Sequence, residues 1–264
     1  MTAPVAGKIL REGVPGGPQV VLVHGLEDGW ASWRPIAERL DPRWRAVALD
    51  LPWRAGNDYR WRRRDSAAGW LAAGLAGLDH PVDAVVGHSF GATTTMELMA
   101  EGRLAPADAA VLICPLYRPP KAPVTWHMLD RSRRNFEAHI RDGVLARLGG
   151  RATTIAADVL EGMMAKAVDR VGPTGLLTVF DSFVASADLE LEAIAQRVLV
   201  VCAGNDPTLV EAAARLLVAR IPHADLHVDP AFDHFCHIRR PDAVVRHLHE
   251  FVGARQPGVK GSLR

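Results

Sequence analysis

Ser89 stands between two glycines in Gly87-His88-Ser89-Phe90-Gly91, after the apolar run "VDAVV" and directly before "GATTTMELMAE". A serine hydroxyl is a weak nucleophile unless a neighbouring base takes its proton and a third group orients that base. The pattern predicts a strand-to-helix turn in which the serine adopts a positive φ and its hydroxyl is lifted clear of a sheet. Side chains two positions to either side would collide there, which accounts for Gly87 and Gly91. A helix that begins at once also points its first N–H groups at the place where an oxyanion would form, so the Phe90 N–H is a candidate donor. The chemistry this implies is nucleophilic acyl transfer.

The base and the acid are expected downstream. "VLVVCAGNDPTLV" ends a strand pattern at Asp206, and 28 positions later "HVDPAFDHFCHIRRPDAVVRHLHEFV" presents His234 in a loop before the last helical segment. That gap accommodates one helix and one strand, and the order Ser89, Asp206, His234 is expected when each member ends its own strand. His237, three positions on, is a rival base. His234 is favoured because it lies nearer the strand end, leaving His237 at the helix entry. Asp233, His234, Cys236 and His237 are metal-ligand types, but four candidates within five residues lack the usual tetrahedral spacing. No metal and no organic cofactor is expected. His24 and His88 read as packing and hydrogen-bonding groups behind the reacting atoms. Glu27 and Asp28 read as solvated, or as groups that repel an anionic substrate.

Elements that would carry these residues follow from periodicity. Short apolar runs alternate with amphipathic segments, the pattern of a mainly parallel sheet with helices on both faces. Strands are predicted at Gln19–His24, Arg45–Asp50, Val82–Gly87, Ala109–Cys114, Arg197–Ala203 and Asp225–Val228. Helices are predicted at about Ser32–Leu40, Ser66–Leu78, Gly91–Glu101, Thr208–Arg220 and Pro241–Val252. Residues 118–191 break the rhythm, with "RPPKAP" followed by helical segments carrying Trp126, Met128, Leu129, Phe136, Met163, Met164, Phe180 and Phe183. This interval reads as an inserted helical lid over the carboxyl edge of the sheet. The expected organisation is one core from 1–117 and 192–254, the lid 118–191, and a frayed tail 255–264.

These segments together resemble the α/β-hydrolase family. "VVLVHGLEDGWASWRPIAERL" is similar to its His-Gly oxyanion loop and following helix, "VVGHSFGA" to its nucleophile elbow, and "DLELEAIAQRVLVVCAGNDP" to its lid exit and acid strand. "DHFCHIRRPDAVVRHLHEFV" resembles the histidine loop and last helix, with the first histidine catalytic. The resemblance implies a Ser89–His234–Asp206 triad, with the backbone N–H of Leu26 as second oxyanion donor beside that of Phe90. Two stretches depart from it. "WRAGNDYRWRRRD" replaces a small-residue turn and implies a bulkier, more basic rim, and "AGND" is about one residue shorter than the common acid turn.

Composition narrows the partners. The 31 basic and 30 acidic residues give a net charge of +1, so no global field would attract nucleic acid or an anionic membrane. The three cysteines are odd in number and fall in or beside apolar runs, which fits reduced thiols and a cytoplasmic location. No signal peptide or membrane-spanning run is read. The expected activity is hydrolysis of a carboxylic ester or thioester. Trp30, Trp53, Trp126 and Met163 are candidates to line the acyl pocket. Arg60, Arg62, Arg63 and Arg64, with Arg131, Arg133 and Arg134 as a second cluster, offer a docking patch for acyl carrier protein or coenzyme A, against a plain solvated face. Rival readings on the same residues are a thioesterase, a carbon–carbon bond hydrolase, a cofactor-free perhydrolase or lyase, and a non-catalytic ligand receptor.

Overall fold

The computed structural model describes residues 5–104 and 107–253, so the tail expected at 255–264 lies outside the described residues. Seven strands form one sheet: β1 (Ala6–Arg11), β2 (Gln19–Val23), β3 (Arg45–Asp50), β4 (Ala84–His88), β5 (Ala109–Ile113), β6 (Arg197–Ala203) and β7 (Ala224–Asp229). Their spatial order is β1-β3-β2-β4-β5-β6-β7. All neighbours run parallel except β1, which pairs antiparallel with β3. Every residue of β2, β4 and β5 is buried, as central parallel strands covered on both faces must be. Two apolar clusters occupy the two faces, one around Leu49, Phe90, Met96 and Leu112, the other around Leu22, Trp33, Ile36 and Val86.

The six predicted strands form, and β1 is an addition. Its sequence, AGKILR, mixes apolar and charged residues and is mostly exposed because it sits at the sheet edge with one partner, where burial imposes no apolar alternation.

Helices α1 (Arg34–Ala37), α2 (Ala67–Ala76), α3 (Phe90–Ala100) and α6 (Glu211–Val218) fill crossovers, and α7 (Cys236–Arg239) and α8 (Pro241–Gly253) follow the last strand. Ser66 caps α2 by accepting the Gly69 N–H at 2.9 Å. Between β5 and β6 lie α4 (Trp126–Leu148) and α5 (Ala157–Ala185), the second broken at Gly172, whose φ of 57° precedes Pro173. Proline there removes an N–H and glycine accepts the left-handed backbone, so the helix bends at this pair. Among the described residues no helix is long and apolar enough to cross a membrane.

Candidate active site

Ser89 joins β4 to α3 with φ 53° and ψ −121°. A Cβ on Gly87 would lie 2.7 Å from Ala92 Cα, and one on Gly91 would lie 2.5 Å from the His24 carbonyl oxygen. Both are backbone obstacles that no rotamer change relieves, so glycine is required at each. The Ser89 N–H donates to the Ile113 carbonyl at 2.8 Å and ties the turn to β5. Phe90 opens α3, and as the first residue of a helix its N–H has no partner within that helix.

The acid and base predicted from the sequence meet the serine. His234 Nε2 lies 3.0 Å from Ser89 Oγ, and His234 Nδ1 lies 2.7 Å from Asp206 Oδ2. Asp206 and His234 are both buried. Burial alone would raise the Asp206 pKa, but the imidazoles of His234 and His139 outweigh it and hold the carboxyl well below its ordinary range. The other carboxylate oxygen, Oδ1, accepts the Thr208 N–H at 2.9 Å. His139, on α4, was not singled out from the sequence. Its ring stacks on His234 with centroids 4.1 Å apart and planes 12° apart, and its Nε2 stands 3.4 Å from Asp206 Oδ1. The available signal was the helical spacing of Met128, Phe136, His139, Gly143 and Arg147, which share the cavity-facing side of α4.

The loop after β2 brings Leu26 to the same cavity. Glu27 follows with φ 57°, and its N–H donates to the Trp53 carbonyl at 3.0 Å. Contrary to the expectation of a solvated or substrate-repelling group, the Glu27 carboxylate is buried and saturated. It accepts from Gly56 N–H (3.1 Å), Asn57 Nδ2 (2.8 Å), Tyr59 Oη (2.9 Å) and an Arg170 guanidinium nitrogen (3.0 Å). Asp28 is likewise buried and faces Arg147 at 3.6 Å. The stretch "AGNDY", expected to form a bulky rim, supplies the donors that hold this loop.

Trp30, Trp53, Trp126 and Met163 do not line the cavity. Trp53 is fully buried, donating its indole N–H to the His24 carbonyl at 3.0 Å and packing edge-on against Phe90. Trp30 packs under the Arg34 guanidinium, 5.1 Å from its ring centre. Trp126 is 85% exposed at the start of α4, and Met163 is 40% exposed on α5. The cavity, about 590 Å³, takes its apolar wall from Leu116, Met128, Phe136, Val179, Phe180 and Phe183. Helix periodicity shows which residues are apolar but not which side of a long helix faces inward.

Three further histidines brace the site from behind. His24 Nδ1 donates to the Gly25 carbonyl at 2.8 Å, and its Nε2 accepts the Leu51 N–H at 3.3 Å. His88 Nε2 donates to the His234 carbonyl at 2.7 Å. His237 is fully buried beside Trp33 and His88, away from Ser89. Two buried trios bring ligand-type atoms within 4.8 Å of one another: Asp28, His88 and His237, and Cys114, Asp206 and His234. In the second, Asp206 and His234 are already engaged with each other. In the first, Asp28 Oδ2 and His237 Nε2 are 4.0 Å apart, wider than the about 3.4 Å between ligands of a tetrahedral zinc ion.

Burial pushes the His237 pKa down to about 4, with Asp28 opposing. The unfolded chain therefore takes up this proton first as pH falls below about 6.5. Stability is full above that value and is lost as pH falls toward 4. Urea denaturation should show that His237→Phe reduces the loss between pH 7 and pH 5 by about 2 kcal/mol.

Sequence and structure comparisons identify the family and the fold. A family model described as alpha/beta hydrolase family matches residues 20–247. Among curated proteins, none matches the chain in sequence. Among solved structures, the chain is similar to a bromoperoxidase from Bacillus anthracis (TM-score 0.71, 17% identity, covering 95% of this chain and 96% of that one). It is also similar to a hydrolase from Oleispira antarctica (TM-score 0.64, 18% identity, 94% of each chain). An enol-lactonase from Burkholderia xenovorans LB400 gives a TM-score of 0.61 at 20% identity, covering 94% and 96%. The match runs from β2 into α8 and takes in the elbow, Asp206 and His234, so the chain belongs to the α/β hydrolase family.

Proposed function

We propose that this protein is a serine hydrolase that cleaves a carboxylic ester or thioester with an apolar acyl group. The observation that carries the reading is the unbroken contact chain from Ser89 Oγ to His234 (3.0 Å) to Asp206 (2.7 Å) at the floor of an apolar cavity. His234 Nε2 takes the hydroxyl proton as Ser89 Oγ attacks the carbonyl carbon, and the N–H groups of Leu26 and Phe90 receive the developing oxyanion. The tetrahedral intermediate collapses, His234 returns the proton to the departing alkoxide or thiolate, and the acyl group stays on Ser89. Water, deprotonated by the same imidazole, then attacks the acyl-enzyme, and the acid leaves with Ser89 restored. Asp206 holds the imidazole in the reactive tautomer and stabilises its cation. Because the elbow residue is serine, the aspartyl-ester route open to carboxylate-nucleophile relatives does not apply.

A small-molecule acyl substrate fits the surface better than a docked carrier. Arg62 pairs with Asp181, and Arg133 and Arg134 pair with Asp130, so both arginine clusters are partly neutralised within the chain. The test is labelling by a fluorophosphonate together with turnover of p-nitrophenyl esters and acyl-coenzyme A thioesters of graded chain length. Labelling that disappears in Ser89→Ala, with turnover rising with acyl length until the cavity is filled, is expected. A wild-type protein that neither labels nor turns over any member of the panel would favour a ligand receptor.

A further inference from the structure

We propose that the two helices covering the cavity carry positioning residues for the chemistry beneath them, His139 for the acid–base pair and Arg170 for the oxyanion loop. This rests on reading Ser89, His234 and Asp206 as a nucleophilic triad.

The two oxygens of Asp206 have separate tasks. Oδ2 faces His234 Nδ1 at 2.7 Å, while Oδ1 accepts the Thr208 N–H at 2.9 Å and has His139 Nε2 at 3.4 Å. Rotation of the carboxylate would break the contacts of Oδ1 along with that of Oδ2, so His139 and Thr208 together hold the oxygen that His234 needs. The Thr208 hydroxyl lies 3.3 Å from His139 Nδ1 and can donate to it, leaving Nε2 as the N–H side facing Asp206. The His139 ring lies nearly parallel on His234 at 4.1 Å and blocks a swing of that imidazole into the cavity. Burial and the neighbouring His234 hold the His139 pKa below its ordinary value, so it remains a neutral donor. A cation at that place would compete for Asp206 with the imidazolium formed during the reaction.

Arg170 acts on the other side of Ser89. It lies on α5, two residues before the break at Gly172, and binds Glu27 at 3.0 Å. Glu27 immediately follows Leu26, so anchoring its side chain fixes the loop on one side of the Leu26 N–H. Glycine at position 175 lets Tyr59, a second Glu27 partner, approach α5, since a Cβ there would fall 2.5 Å from Tyr59 Oη. The Arg170 side chain is 49% exposed, and an ion pair so placed is weak by itself. Its effect comes through a carboxylate already fixed by three other donors, so it is expected to be smaller than that of His139. Seating of α4 and α5 thus sets turnover as well as access.

The test uses the full chain with a p-nitrophenyl ester. His139→Ala should lower kcat by about 10- to 100-fold, as small misplacements of reacting groups do, with KM and melting temperature nearly unchanged. His139→Gln, whose amide nitrogen reaches about as far as Nε2, should recover most of the loss, and Arg170→Met should lower kcat by about 3- to 10-fold. The low-field proton resonance of the His234–Asp206 hydrogen bond reports positioning without substrate. It should be sharp in the wild type and broadened or shifted in His139→Ala. An unchanged resonance with unchanged kcat would overturn the assignment of His139, as would a loss of kcat that tracks melting temperature and is not recovered by glutamine. Unchanged kcat in Arg170→Met would overturn that of Arg170. Failure of the triad reading is separately visible as full ester turnover by Ser89→Ala, and the resonance still decides the role of His139 in that case.

Discussion

Ser89→Ala is expected to lower kcat for an ester substrate by roughly 10⁴- to 10⁶-fold while the protein still folds. The substitution removes the only atom that becomes covalently attached to the acyl group, so the two-step route is lost and only direct attack by water, helped by the oxyanion donors and by binding, remains. The fold should tolerate the change because Ser89 is held by its backbone, through the N–H bond to Ile113 and the glycines on either side, and its side chain fills no part of the core. Substrate affinity should change little, since the apolar wall of the cavity comes from Leu116, Met128, Phe136, Val179, Phe180 and Phe183 and the substitution removes a single oxygen from its floor. Steady-state kinetics with a circular-dichroism melt checks both halves. Retention of most activity by a folded variant would refute the proposed mechanism.

His234→Ala should be nearly as damaging, by roughly 10⁴-fold or more, because without a base the hydroxyl proton has no acceptor in reach of Ser89 Oγ. The informative comparison is with His237→Ala, expected to cost about tenfold or less in kcat. The two histidines are three residues apart and both buried, yet only His234 lies within hydrogen-bonding distance of Ser89, at 3.0 Å. His237 packs against Trp33 with ring centres 4.9 Å apart and touches neither serine nor Asp206. Its loss should appear mainly as altered stability and acid sensitivity. Combining His234→Ala with Ser89→Ala should add little to either alone, because residues that act as one unit do not contribute additively. A larger kcat loss for His237→Ala than for His234→Ala would reassign the base.

Much of this site could be read in the linear chain because its requirements are local. A serine at positive φ needs glycines two residues away, a parallel sheet buried on both faces needs continuous apolar strands, and Ser89, Asp206 and His234 each sit past the end of a different strand. Those constraints act within a few residues and leave a pattern, so the elbow, six of the seven strands, Asp206 and His234 were all legible. The edge strand β1 was not, because an edge exposed to water selects no alternation. The cavity wall and its supports depended on contacts between residues far apart in the chain. Glu27 and Asp28 looked like solvated acids until Tyr59, Arg147 and Arg170 were placed against them. Trp53, a pocket candidate by sequence, instead fills the core behind the elbow, and His139, a residue of a long helix, stacks on His234. Residue type and spacing determine which side chains can do chemistry. Which face of α4 and α5 turns inward, and which buried acid meets which distant base, is decided only when the helices pack, because desolvation makes a buried charge adopt whatever partner the tertiary structure supplies.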